Sequence, residues 1–359
     1  MAGVSRDRAG RGSKIMYMHS VGHSRIISTG MYLPPERLSS RELMEMFRSR
    51  ERFGLPYEWL ERTTGIRERR FAPPDFKSSE MAVAAAREAL ELGEVSPSQI
   101  DAIIYCGVLR DHVEPATAHV VQDKIGARNA IAFDVSNACL GFMNGMHLMD
   151  ALIATGQARR GLVVTGERGN HYIRKALRVL AELPDNGDFS DLAAALTLGD
   201  AGAAAVMGPK LDPETGIKGF VVQSQGQHNG LCVCGDNGED THLVTKITEI
   251  VRETTRLVGP LYQALMHEHL GWQPSELSRY IPHQVGLRSV RKHAEVAQVP
   301  LEIIPITVDY LGNIISATIP VNISLLMKDK KLTNGERIYL SGTGSGISIA
   351  QAAMVWDAA

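Results

Sequence analysis

Cys139 lies in the stretch Ala132-Phe133-Asp134-Val135-Ser136-Asn137-Ala138-Cys139-Leu140-Gly141-Phe142-Met143-Asn144-Gly145-Met146. An apolar, strand-like run enters a turn of small residues, and the cysteine stands at the first turn of a long apolar helix. Unpaired N–H groups and the positive end of the helix macrodipole favour thiolate over thiol at such a place. The pattern predicts a nucleophile. Two other reactive side chains stand where strand-like segments end. His283 follows Tyr280-Ile281-Pro282, and Asn313 follows Tyr310-Leu311-Gly312. Near the C-terminus, Gly342-Thr343-Gly344-Ser345-Gly346 is a glycine-rich turn between two strands, where backbone N–H groups can approach a ligand closely. It is not a phosphate loop, because neither Gly-Lys-Ser/Thr nor a helix follows.

The elements that must position these groups alternate. Strands are expected at residues 25–31, 102–108, 130–135, 161–167 and 201–207, with helices at 79–92 and 140–154. The rhythm repeats with strands at 219–224, 280–283, 337–341 and 347–355 and helices at 242–270, 288–297 and 316–328. Residues 183–191 carry strong turn chemistry and read as a loop. This alternation predicts an α/β protein with helices on both sheet faces. The cluster of Pro, Lys, Asp and Gly at 208–216 marks the boundary between two halves, residues 24–210 and 211–359.

The chain has 359 residues and a net charge of −2, so bulk charge points neither to nucleic acid nor to an anionic membrane. Four cysteines in this length make no disulfide framework and suggest a reducing, cytoplasmic setting. Cys106 reads as core packing. Cys232 and Cys234 lack the second pair that a zinc site needs, so no metal is expected. Residues 1–23 read as a disordered tail without the apolar middle of a signal peptide, and no run of apolar residues is long enough to span a membrane.

Several motifs taken together resemble the ketosynthase III branch of the thiolase superfamily. They are Glu58-Trp59 with Thr64-Gly65-Ile66-Arg67-Glu68-Arg69-Arg70, then Asn137-Ala138-Cys139, Pro282-His283-Gln284, Gly312-Asn313 and the glycine-rich turn at 342–346. The resemblance spans residues 24–356. It implies a five-layered αβαβα thiolase fold of two similar halves, a homodimer, and no cofactor beyond acyl-CoA or acyl carrier protein thioesters. It implies that Cys139 takes the acyl group and that His283 and Asn313 hold the second thioester carbonyl. The N–H groups of Cys139 and Ser345 would form the oxyanion hole. Trp59 matches the indole that stacks on coenzyme A, although Thr63 stands where an arginine follows in acetyl-CoA-using relatives. Phe142, Met143 and Met146 would fill the acyl channel or pack the core.

The segment Arg110-Asp111-His112-Val113-Glu114-Pro115-Ala116 is similar to that of thiolases that start olefin and β-lactone biosynthesis. The resemblance implies that Glu114 crosses the dimer interface and removes an α-proton from an acyl thioester. Such a reaction needs a placed carboxylate, whereas loss of CO2 from a malonyl thioester does not. The leading expectation is a Claisen condensation of two acyl thioesters to a β-ketoacyl product in lipid-derived or specialised metabolism. The alternatives are a decarboxylative synthase using malonyl carrier protein, an acyltransferase to an alcohol or amine, and a non-catalytic partner subunit. The Arg-rich pieces 67–70 and 174–178 could meet an acidic carrier protein or be ordinary surface charge.

Overall fold

The computed structural model describes residues 16–234 and 243–357. Two five-stranded mixed sheets organise these residues. The first has the order Ser24–Tyr32, Asp200–Pro209, Gly161–Arg168, Ala102–Tyr105, Ile131–Asp134, with the last three strands parallel to one another. The second has the order Met18–Val21, Gly216–Ser224, Ser348–Val355, Arg337–Gly344, Arg279–Pro282, and its only parallel pair is the last.

Strand side chains alternate between two faces, and that alternation builds five layers. Ile104, Val163, Ala205, Ile281, Leu340 and Ala352 point inward onto two central helices, Gly141–Ala154 and Thr318–Lys328. Ile103, Tyr105, Leu162 and Val206 point outward onto the helices Ser78–Leu92 and Thr117–Ile125. On the second sheet, Val221, Tyr280, Tyr339 and Ile349 point outward onto Ile247–Gln263 and Leu287–Ala297. The central helices are apolar nearly all round because both their flanks face sheets. Among the described residues no helix is long and apolar enough to cross a membrane.

Several elements differ from the sequence expectation. The tail expected through residue 23 ends earlier, because Met18–Val21 pairs antiparallel with Gly216–Ser224 as an edge strand. A four-residue edge strand carries too little apolar alternation to be read alone. The helix expected over 242–270 starts at Ile247 and passes at Ala264 into a wider π turn ending at His269, and residue 242 lies outside the described residues. Several helices escaped the sequence pattern, among them Thr117–Ile125 and Gly169–Glu182. Each of these two is capped from a distant segment. The Asp134 carboxylate accepts the Thr117 and Ala118 N–H groups at 2.9 Å, and Asp200 accepts that of Asn170 at 2.8 Å. No local Ser, Thr, Asp or Asn cap announces either start.

Candidate active site

Cys139 sits on a short 3-10 turn, Ala138–Leu140, that leads into the helix Gly141–Ala154. Ala138 is held at φ +48, a left-handed conformation that a residue with a side chain adopts only under constraint. The strand Arg337–Gly344 supplies part of that constraint. A Cβ on Gly344 would lie 3.0 Å from Leu140 Cβ and 3.1 Å from the Asn137 carbonyl oxygen, so only glycine lets this strand pass so close. The same strand ends in the hairpin turn at 345–347. Gln225 and Ile347 exchange backbone hydrogen bonds of 2.7 and 3.2 Å, which hold that turn. Ser345 is thereby fixed on a half-buried turn at the end of a strand packed on the Cys139 turn.

Asn313 is fixed at both backbone ends. Its N–H donates to Thr197 O at 2.9 Å, and its carbonyl accepts from Gly199 N–H at 3.0 Å. Its side-chain Oδ1 accepts the Ile315 N–H at 2.9 Å, which leaves the Asn313 amide NH2 as the available donor. Ile315 stands at φ +53, a severe position for a β-branched residue. The strained turn Ile315–Ala317 packs directly against the strained turn that carries Cys139. Two constrained turns are thus in contact, each beside a candidate site residue, and clusters of backbone strain of this kind are concentrated at functional sites.

His283 follows the strand Arg279–Pro282, and its own N–H donates to Ser341 O at 2.8 Å on the neighbouring strand. Its Nδ1 lies 3.2 Å from Thr318 Oγ1. The single Thr318 hydroxyl proton is directed to Ile315 O at 3.0 Å, so Thr318 Oγ1 accepts and Nδ1–H donates. Nε2 is therefore a bare acceptor, and it is buried without a partner. A buried acceptor in this position can take a proton or a hydrogen bond from a bound group. Burial, with a smaller contribution from His293, lowers the His283 pKa to about 3, so the ring is neutral at rest.

The thiol differs from the sequence expectation. Burial pushes the Cys139 pKa well up, and the nearby Glu167 carboxylate and Cys232 thiol add to the shift. The helix start does not hold a resting thiolate here, because the thiol is surrounded by dense protein although part of its surface is open. Sequence reasoning missed Glu167 itself. It is fully buried at the end of Gly161–Arg168, where its carboxylate accepts from Val108 N–H, Ser316 N–H, Ser316 Oγ–H and Thr165 Oγ–H. The apolar run before it reads as a buried strand, but a carboxylate at the end of that strand reads as an exposed charge. Arg69, read as part of a surface patch, is also fully buried; it donates to Leu38 O, Ser40 Oγ and Leu196 O. Gly199 and Gly312 pack on its Cβ, at 3.2 Å from where their own Cβ atoms would lie, so Arg69 braces the Asn313 loop.

The remaining candidates divide. Trp59 is half-buried, packs edge-on to Phe189 at 5.9 Å between ring centroids, and belongs to the same apolar cluster as Cys139, Val108, Leu109 and Ile315. Phe142 and Met143 are 1% exposed and sit with Ile104, Cys106 and Leu340 in the central core, which fits the packing reading of their spacing. Glu114 is exposed, as are His112 and Val113, and has no hydrogen bond or ion pair among the described residues. Cys106 is core, and Cys232 Sγ lies 3.4 Å from Thr245 Oγ1. Among the described residues no group of three or more His, Cys, Asp or Glu comes together to hold a metal. Arg174 and Arg178 are exposed one turn apart on Gly169–Glu182, with the Arg174 guanidinium over the Phe71 ring.

The profile of 3-oxoacyl-[acyl-carrier-protein] synthase III matches residues 133–226, and its C-terminal counterpart matches residues 267–356. Solved structures of Xanthomonas campestris OleA superpose along nearly the whole chain. One cysteine variant is 31% identical, with a TM-score of 0.87 over 97% of this chain and 100% of that one. A second, with lauric acid and lauroyl-CoA bound, is 30% identical, with a TM-score of 0.87 over 94% and 100%. A third, with cerulenin bound, is 31% identical, with a TM-score of 0.86 over 97% and 100%.

Proposed function

Because the chain belongs to the 3-oxoacyl-[acyl-carrier-protein] synthase III family of thiolase-fold condensing enzymes, we propose that it joins two long-chain acyl thioesters without loss of CO2. It is an acyl-transferring enzyme that forms a carbon–carbon bond by Claisen condensation. The reading rests on one observation above the others: His283 Nε2 is a buried acceptor with no partner among the described residues, close to two strained turns, one carrying Cys139 and one following Asn313.

The steps follow from those groups. Cys139 Sγ attacks the first thioester carbonyl while its proton passes to His283 Nε2. The neutral, unpartnered ring can accept it, and the raised thiol pKa means proton and attack move together. The N–H groups of Cys139 and Ser345 stabilise the oxyanion, a kind of contact worth about 3–4 kcal/mol. The C–S bond of the incoming thioester breaks, and its thiolate leaves with the proton from Nε2. A second thioester then binds with its carbonyl at the Asn313 NH2. The partner subunit's Glu114 removes an α-proton from it, which agrees with the exposure of Glu114 here and with the solved OleA variants at a glutamate. The enolate carbon attacks acyl-Cys139, the C–S bond to Cys139 breaks and a β-ketoacyl thioester forms; the leaving Cys139 thiolate takes up a proton and the partner subunit's Glu114 releases the one it removed, which restores both groups. The bound lauric acid and lauroyl-CoA of the solved OleA relative support acyl-CoA as donor. A carrier-protein donor would meet exposed Arg174 and Arg178.

The test is incubation with lauroyl-CoA alone and with malonyl thioester, followed by mass measurement of protein and product. The proposal expects a lauroyl adduct on Cys139 and a 24-carbon β-keto product from lauroyl-CoA alone. Product formed only with malonyl thioester, with CO2 released, would establish the decarboxylative reaction instead. No adduct on Cys139 would overturn the covalent route.

A further inference from the structure

Glu167 has no role in the steps above, yet it is a fully buried carboxylate held by neutral donors alone. Burying a carboxylate without a cation is expensive, and an apolar side chain of that size would pack at lower cost. Its contacts link two elements of the site. Val108 N–H, at 3.2–3.3 Å, is the root of the segment that carries Glu114. Ser316 N–H, at 3.3 Å, and the Ser316 hydroxyl belong to the strained turn after Asn313. Thr165 Oγ1, at 3.2 Å, closes the set from its own strand and lies 2.8 Å from Ser316 Oγ. The charge of Glu167 is also felt at the Cys139 thiol.

We propose that Glu167 is a positioning residue of the condensing site: its carboxylate locks the root of the Glu114 segment to the turn that follows Asn313. The proposal rests on the condensing reading for its kinetic arm only, because the lock between the two segments is measured without substrate. The lock is a matter of geometry, since its donors come from three separate places, Val108, Thr165 and Ser316. Among the described residues no cation is paired with or hydrogen-bonded to Glu167.

The experiment compares Glu167→Gln with the unaltered protein by amide hydrogen exchange and by steady-state kinetics. A carboxamide has one acceptor oxygen where the carboxylate has two, so one link of the lock must loosen. Exchange at the Val108 and Ser316 amides is expected to accelerate at least about 10-fold, with the central helices within about 3-fold. In the condensation assay kcat is expected to fall at least about 10-fold with KM within about 3-fold. Unchanged exchange at both amides, uniform acceleration across the fold, or an unchanged kcat overturns the proposal. Failure of the condensation assay for the unaltered protein would count against the proposed reaction, whereas the exchange arm still judges Glu167. If Glu167→Gln does not fold, Ser316→Ala removes one donor and leaves the carboxylate. It is expected to accelerate exchange at residue 316 and lower kcat, and identity with the unaltered protein in both would overturn the proposal.

Discussion

Thr318 Oγ1 accepts a hydrogen bond from His283 Nδ1 at 3.2 Å while donating its own proton to Ile315 O at 3.0 Å. One hydroxyl thereby sets the tautomer of His283 and leaves Nε2 as an acceptor. It also ties the His283 strand to the turn that follows Asn313. Thr318→Val removes both bonds with little change of shape. The expected loss is about 1–2 kcal/mol in kcat, roughly 5- to 30-fold, since a buried hydrogen bond is replaced by an unpaired ring N–H. Thr318→Ser is expected to retain most of the rate. Steady-state kinetics on the three proteins checks this, and equal rates for Thr318→Val would remove Thr318 from the mechanism.

The buried histidines make a pH prediction. Burial lowers the His293 pKa to about 4 and that of His283 to about 3, from an ordinary 6.5. The unfolded chain takes up these protons near 6.5 and the fold does not. Their stabilising contribution is therefore present above pH 6.5 and lost as the pH falls toward 4 and below. Glu167 and Asp200, both raised to about 7, act in the opposite sense: their contribution is present below the ordinary carboxylate range and lost as the pH rises through 7. His293 pairs with Tyr280 OH at 3.2 Å and also weighs on His283, so His293→Gln removes its own contribution and lessens that of His283, both in the same sense. Denaturant unfolding at pH 7 and pH 4.5 should show a smaller acid loss in this variant than in the unaltered protein, by roughly 1–3 kcal/mol. Parallel curves would contradict the assignment.

Gly344 tests whether the strand that ends at Ser345 holds the nucleophile turn. A methyl group there meets Leu140 Cβ at 3.0 Å and the Asn137 carbonyl at 3.1 Å, and backbone on that side cannot turn away as a side chain could. Gly344→Ala is expected to cost about 1–2 kcal/mol of stability by overpacking. It should slow acylation of Cys139 about 10-fold or more, because the Ala138–Leu140 turn must shift. Adduct formation followed by mass, beside thermal melting, separates the two effects. Unchanged acylation would show that the strand does not position the thiol.

Asp134 caps the helix Thr117–Ile125 from the strand that leads to Cys139, with bonds of 2.9 Å to two N–H groups. Asp134→Ala leaves those donors unpaired and removes a negative charge from the helix start. The expected cost is about 1–2 kcal/mol. Amide hydrogen exchange over 117–125 should accelerate more than in the central helices. Uniform acceleration, or none, would mean that the cap is not a local support of the segment bearing Glu114.

The sequence by itself singled out Cys139, His283 and Asn313 as candidates at element ends, because strand ends, glycine turns and apolar periodicity are local properties. It also determined the α/β alternation that becomes two sheets around central helices. Tertiary structure decided what depends on distant residues. The helices at Thr117 and Gly169 take their caps from Asp134 and Asp200, so no local signal could reveal them. Burial raises the pKa of the Cys139 thiol despite its place at a helix start. Packing puts Arg69 under the Asn313 loop and assigns Phe142 and Met143 to the core. Glu167 became visible only once Val108, Thr165 and Ser316 converged on it. Burial and desolvation arise from the whole fold, and local residue patterns carry no record of them.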